Sequence, residues 1–470
     1  MKTSVIKITL CGSLLLAGLT CGAQSLTLTL QDCKEAALNR NTAVRNAGLD
    51  IRGADLQKQE ALWEYFPRVS ATGLGYYALN PLLDIGIVDI LGDNDFAWNL
   101  QNEAESYGSM YGINTRYKAF QKGYTASVSL MQPVFAGGRI VNGNRLAGVG
   151  VQAARLQGDI QNRKTSIEIE SAWWDICALK EKIETITSLE GTIESLYTQL
   201  QNAVNSGLAS ETDLLQLEIK RNELRAGKKK AVSGVRLLKM NLLNSIGMDY
   251  SVIAQAASEE APLLDSIRLQ TGAAVLPERP EFYYRDADST VNGMGEKELL
   301  DLQVKAKRLE RDMTIGEALP QIGIGASAGY SNLYGNAGKF NSIAFATVQI
   351  PISDWGKLSR KAQRIETQIQ KAENDREHLS RQLHLQVEKY WLDLTSAYDD
   401  WEVAAESRKV AERLYNLSVS HFSSGLVSSS DLLQAEASYL QAVSAEADAL
   451  ASYRKALSAY TALVGGVRLT

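Results

Sequence analysis

The sequence predicts a mainly α-helical chain that also carries membrane-spanning β-strands, built as two tandem copies of one unit. Three observations predict it. The segment NSGLASETDLLQLE at 205–218 recurs as SSGLVSSSDLLQAE at 423–436. The same shift of 218 residues superposes Pro133 on Pro351, Gly138 on Gly356, Trp173 on Trp391, Tyr197 on Tyr415 and Gly247 on Gly465 without a gap. All eight prolines fall outside residues 134–261 and 352–470, which leaves two runs long enough for extended helices. Four other stretches have the length of transmembrane strands, and past the first two dozen residues nothing reaches the ~18 consecutive apolar residues of a membrane helix.

In chain order, residues 1–23 read as an export signal. Lys2 and Lys7 precede an apolar Ile8–Leu19 core, and small residues ending Cys21-Gly22-Ala23 precede Gln24. Cleavage is expected after Ala23. Acylation of Cys21 is the alternative, and Gly18-Leu19-Thr20 before it matches a lipoprotein signal poorly. Cleavage leaves Cys33 and Cys177, too far apart in sequence to form a disulfide framework and read as two buried free thiols. It also leaves 47 basic against 54 acidic residues with no basic tract, which argues against nucleic acid as a partner.

The first repeat is assigned to 24–247. A helical run leads through Trp63 into candidate strands at about 69–79 and 125–135. The second repeat, 296–470, opens with a helix over about 296–318 and has strands at about 321–331 and 343–353. In the last strand Ala344, Ala346, Val348, Ile350 and Ile352 share one face, and Thr347 and Gln349 the other. Each strand has about the ~9–11 residues that cross a bilayer when tilted. Aromatics gather at both strand ends: Trp63, Tyr65, Phe66, Phe135 and Trp355 at one, and Tyr76, Tyr77, Tyr124, Tyr330, Tyr334 and Phe340 at the other. Such clusters suit the two girdles of an outer-membrane barrel. The glycines of GLG and GIG on these strands are expected to face a crowded lumen.

Helical hairpins follow, at 138–247 with its tip at 207 and at 356–465 with its tip at 425. A helix from Gly138 to Asn205 would run ~100 Å. Its seam is Ala172, Ile176, Leu179, Ile183, Ile186, Leu189, Ile193, Leu196, Leu200 and Ala203, and its counterpart is Leu383, Val387, Tyr390, Leu394, Ala397, Trp401 and Ala404. That spacing is a coiled-coil seam. Gly143, Gly148, Gly150 and Gly158 predict close packing or a bend early in the first helix, and Gly247 and Gly465 predict left-handed stops. Residues 248–295 form a linker or equatorial region, irregular over 248–275. Ser210-x-x-Asp213 and Ser428-x-x-Asp431 look like capping boxes.

Four strands cannot close a barrel in lipid, because open edges leave unpaired backbone groups. The barrel must be shared between copies: two would reach eight strands, three would reach twelve, and the strand count does not choose. The insertion at 80–124 between the first two strands is expected outside the cell, folding over the mouth, binding another surface component, or lacking fixed structure. No enzyme is predicted. His378, His384 and His421 supply neither a zinc pair nor a triad, the strand glycines precede no phosphate-binding helix, and no cofactor or metal is called for.

The ALNRN opening, the Arg279-Pro280-Glu281 segment before the second repeat, the QPVFAGG and QIPISDWG passages from strand to helix and the paired GL…S..DLLQ turns resemble the TolC-type outer-membrane channel (outer-membrane efflux protein) family. The resemblance covers nearly the whole mature chain. It implies a homotrimer whose twelve strands form one β-barrel in outer-membrane lipid, continued by a long α-helical coiled-coil barrel in the periplasm. It implies the exit duct of a tripartite efflux pump or type I secretion system, joined to an inner-membrane transporter by a periplasmic adaptor (membrane fusion) protein. Residue by residue, it places adaptor contacts at Gly207, Leu208, Gly425 and Leu426. Asp431 matches an acidic ring at the periplasmic aperture and Asp213 is its repeat partner, while Gln434 stands where some members carry a second acid. The alternatives from the residues are a structural periplasmic coiled-coil spacer, or an adaptor without channel activity.

Overall fold

The computed structural model describes residues 27–248, 268–270, 276–332 and 338–465. The export-signal reading, Tyr334 and most of 248–275 lie outside the described residues. In order the elements are β1 (Thr27–Leu28), α1 (Leu30–Arg40), α2 (Thr42–Trp63), β2 (Arg68–Tyr77), β3 (Leu83–Ile85), α3 (Ile87–Leu91), α4 (Asp95–Tyr111), β4 (Tyr117–Ala119), β5 (Lys122–Ala136), α5 (Arg139–Asn205) and α6 (Glu211–Ser245). Then follow β6 (Arg268–Leu269), a 3-10 turn at Pro280–Tyr283, α7 (Ala287–Gly293), α8 (Gly295–Glu317), β7 (Gln321–Asn332), β8 (Lys339–Gln349), α9 (Trp355–Ser423) and α10 (Ser429–Gly465). Residues 53–152 and 302–374 form one compact unit; those before 53, 153–301 and from 375 onward form a second. Each unit draws on both repeats.

The first unit is built on an antiparallel sheet in the order β2-β5-β7-β8, so the repeats join at β5–β7 while β2 and β8 are the edges. The alternating pleat sorts the side chains. Val69 pairs with Leu130, Ala71 with Val128, Ala326 with Leu130, and Val348 with Ile322, giving one apolar face. On the other face Ser70 and Ser129 hydroxyls lie 2.9 Å apart and Thr72 and Ser127 3.1 Å apart. Along β5 Tyr124, Ala126, Val128 and Leu130 are exposed and Thr125, Ser127 and Ser129 half-buried. Tyr124 and Tyr330 stack at 6.0 Å at one end of the sheet, and at the other Trp63 and Phe66 rings sit 5.3 Å apart.

Two expectations about the strands need correction. β8 is Lys339–Gln349, not 343–353, because Pro351 has no N–H for a ladder and Ile352–Asp354 wind into a 3-10 turn. The GLG and GIG glycines also lie on opposite faces. Gly323 and Gly325 share the serine face, where a Cβ at Gly325 would meet the Phe345 ring at 2.6 Å, whereas Gly73 and Gly75 lie on the apolar face. Pro133 survives inside a central strand because the β5–β7 register shifts between Pro133 and Phe135.

Insertion 80–124 is folded, which overturns the reading that it lacks fixed structure. β3 and β4 pair antiparallel, and α3 and α4 pack beside them. Asn94 caps α4 at the Ala97 amide (2.9 Å), and buried Gln101 accepts the Val88 amide (3.0 Å). Arg116 donates to Asp84 at 2.8 Å and has Asp89 and Glu105 within 4 Å, and the hydrogen bond to Asp84 is the main reason its guanidinium is held more firmly protonated than usual.

In the second unit the expected seams are buried or half-buried. Ile186, Leu189, Ile193, Leu196 and Leu200 of α5 meet Leu217 and Leu224 of α6, Tyr415 of α9 and Leu432 of α10, so both hairpins share one core. A second core joins Cys33 and Ala37 of α1 to Trp173 and Ile176 of α5 and Leu242 and Leu243 of α6. Cys33 and Cys177 are free thiols, and burial pushes each up to about 11. Buried Tyr453 and Tyr460 clamp the segment entering the second repeat, Tyr453 donating to the Glu278 carbonyl at 2.6 Å and Tyr460 accepting the Arg285 amide at 3.0 Å. Among the early α5 glycines only Gly158 meets a close neighbour, the Ile51 side chain at 3.0 Å from a Cβ, and the helix is unbroken. Gly247 is a left-handed stop (φ 75°), but Gly465 is not, being the last helical residue of α10.

Candidate functional site

Both hairpins reverse through the same hydrogen-bonded turn. At the first, the Leu208 amide donates to the Ala203 carbonyl (2.8 Å) and the Gly207 amide to Val204 (2.9 Å). At the second, Leu426 donates to His421 (2.9 Å) and Gly425 to Phe422 (3.0 Å). This double closure needs a left-handed residue after the helix, and Gly207 (φ 69°) and Gly425 (φ 71°) supply it without a Cβ clash. No Cβ neighbour lies within 4 Å of either glycine. The leucines do not fold back as staples: Leu208 is 83% and Leu426 71% accessible. Each tip thus presents one apolar knob to solvent.

The two acids that follow differ. The Ser428–Asp431 capping box forms as expected, with the Asp431 amide donating to Ser428 Oγ (3.2 Å) and the Ser428 amide and hydroxyl to Asp431 Oδ2 (3.3 and 2.7 Å). Those bonds from Ser428 hold the Asp431 carboxyl below the usual carboxylate range. The box expected at Ser210–Asp213 does not form, because Ser210 caps the Thr212 amide instead (3.1 Å). Asp213 accepts from the hydroxyl of buried Ser429, which also reaches Gln216 Oε1 at 2.9 Å. The structure thereby ties one hairpin tip to the other at a point the sequence read as two separate caps.

Sequence reasoning missed a second tie. Glu436 is 0% accessible, and its carboxylate lies 2.7 Å from Lys220 Nζ. No donor reaches its Oε1 among the described residues, and burial pushes its carboxyl up, with Lys220 pulling the other way. Nearby, Tyr415 and Tyr439 stack at 5.4 Å, and Arg408 bridges Glu181 (2.9 Å) and Glu446 (2.7 Å). The only signal was Glu436 standing among Leu432, Ala435 and Val443 on a helix, a pattern equally suited to a solvated flank.

Residues 300–466 match the family described as outer membrane efflux protein. The matched segment is about a third of the chain and lies in the second repeat. The fold is shared by the outer-membrane channel CmeC of Campylobacter jejuni (TM-score 0.72, 12% identity, covering 93% of this chain and 85% of that one). VceC of Vibrio cholerae (0.69, 14%, 93% and 96%) and the open state of MtrE of Neisseria gonorrhoeae (0.68, 17%, 93% and 89%) share it too. No curated relative matches the chain. The matched segment and the shared fold are those of outer-membrane efflux channels. Nothing in these likenesses supports a coiled-coil spacer or an adaptor.

Proposed function

We propose that three copies assemble, β8 of each pairing with β2 of the next, into a closed twelve-stranded barrel that conducts cargo delivered by a periplasmic adaptor and an inner-membrane transporter. The observation that carries this is the sheet itself: four strands, apolar on one face and serine-lined on the other, with no further strand on either edge among the described residues. Lipid tolerates no such edges, so closure between copies satisfies the backbone and puts the serines around water. The helical hairpins support it. On α9 Leu385, Leu392, Val403, Val410 and Leu417 are exposed at spacings of 7, 11, 7 and 7 residues, a stripe left for a neighbouring copy. Purified in detergent, the protein should have three times the mass of the chain and conduct ions across planar bilayers; a monomer that conducts nothing would refute the duct.

At the periplasmic end, Leu208 and Leu426 are the adaptor contacts and Gly207 and Gly425 hold them out. Asp213 and Asp431 supply the negative charge of the aperture, Asp431 from an exposed cap and Asp213 from the tie to Ser429. Replacing both knobs, L208D with L426D, should leave the trimer and its conductance intact and abolish capture of the adaptor encoded with this channel. Unchanged capture would remove the tips from the interface. D431N should lower the preference for cations over anions measured as a reversal potential.

A further inference from the structure

The folded insertion leaves one helix face unexplained. In α4 Ala97, Gln101 and Gly108 turn into the insertion and are buried, while Phe96, Leu100, Tyr107, Met110 and Tyr111 form an exposed apolar stripe interrupted only by Glu103. An exposed apolar stripe of this length on an otherwise capped and ion-paired helix marks a surface that is covered in the working assembly. We propose that the stripe packs against the insertions of the neighbouring copies, so that three of them close over the outer mouth of the barrel. This rests on the trimeric duct proposed above.

Three features select a second copy of the chain over other occupants. First, the insertion cannot leave the rim. It is joined to the sheet through residues 78–82 on one side and 120–121 on the other, and the Ala78 amide donates to the Gln121 carbonyl at 2.7 Å, extending the β2–β5 ladder into its root. It springs from β2, the edge at which the neighbouring copy pairs, so its stripe continues an interface the barrel already requires. Second, the sizes match. Twelve strands ~4.8 Å apart and tilted ~40° make a ring of ~24 Å across, while the 17 residues of α4 span ~25 Å at ~1.5 Å each. Three helices as long as the opening is wide meet when they lean inward. Third, charge disfavours the outward alternative. The insertion carries Asp84, Asp89, Asp93, Asp95, Glu103 and Glu105 against Arg116, Lys118 and Lys122, a poor match for an anionic outer leaflet. The Arg116 cluster with Asp84, Asp89 and Glu105 makes the insertion rigid enough to hold the helix in place.

The test uses the full chain in outer membranes of cells that express it. With p-benzoylphenylalanine placed at Tyr107, illumination should give a product of twice the chain mass, whereas the same probe at Lys118, off the stripe, should not. Replacing stripe residues with serine, F96S with Y107S, should raise single-channel conductance by about twofold or more as the apolar constriction is wetted, with the trimer unchanged. A trimer whose Tyr107 probe reacts only with lipopolysaccharide or with nothing, or whose conductance is unmoved by the serine pair, overturns the closure and leaves the duct standing. A monomeric mass would instead bring down the duct, and this inference with it.

Discussion

The two repeats share one sequence pattern and one order of elements, yet positions 218 residues apart do different work. Glu218 and Glu436 are the same repeat position; the first side chain is 42% accessible beside Arg221 at 4.0 Å, while the second is sealed against Lys220. Asp213 and Asp431 likewise divide into a cross-hairpin acceptor and a cap. The passage from strand to helix also differs. The first repeat turns through Gly137 (φ 61°) and Gly138 (φ 76°), with Gly137 so close to Gly316 that a Cβ would stand 2.1 Å from its carbonyl oxygen. The second turns through Pro351 and a 3-10 turn into Trp355, whose indole donates to the Ala318 carbonyl at 3.1 Å, and its Gly356 is helical with open space around it. Duplication copies helices and turns, but each copy must then find its partners in a body that contains the other.

That asymmetry can be broken deliberately, most strongly at the passage glycines. G137A combines a left-handed backbone with a clash against fixed main chain and should cost about 3 kcal/mol. G356A should be neutral or stabilise by up to ~1 kcal/mol as a helix substitution. Thermal dissociation of the trimer measures both, and equal shifts would erase the distinction. Next in size, K220M strands a buried carboxylate and should cost about 3 kcal/mol, against less than ~0.5 kcal/mol for E218Q at the exposed counterpart. Glu436 also sets a pH dependence. Its folded pKa is raised, so its contribution to stability is present at low pH and is lost as the pH rises through that value. E436Q should flatten that limb of the stability curve, and an unchanged curve would show that the carboxylate is not sealed.

The smallest contrast lies at the caps. S210A and S428A should each cost about 1 kcal/mol as N-cap losses. Only S428A should alter the acid limb as well. Because the folded Asp431 pKa is lowered, its contribution is present above the unfolded value and lost as the pH falls through the folded one. Denaturant titrations at neutral and acid pH would separate the two variants, and parallel curves would contradict the assignment of the caps.

The sequence by itself determined everything with a short period or a copied pattern. The duplication, the four strands, the proline-free hairpins and the left-handed tip glycines are local: alternation of two, spacing of three and four, and the steric freedom of glycine act over a few residues. Even the misplaced end of β8 was a local matter, Pro351 being visible in the sequence and given too little weight as a strand terminator. Tertiary structure decided the pairings between residues more than two hundred positions apart, Asp213 with Ser429 and Lys220 with Glu436. It also decided that 80–124 folds, since Arg116 finds Asp84 across 32 positions only once β3 and β4 pair. A carboxylate on a helix looks the same in sequence whether its face meets water or another helix. Burial, which sets its pKa and its energetic weight, is a property of the assembled hairpins.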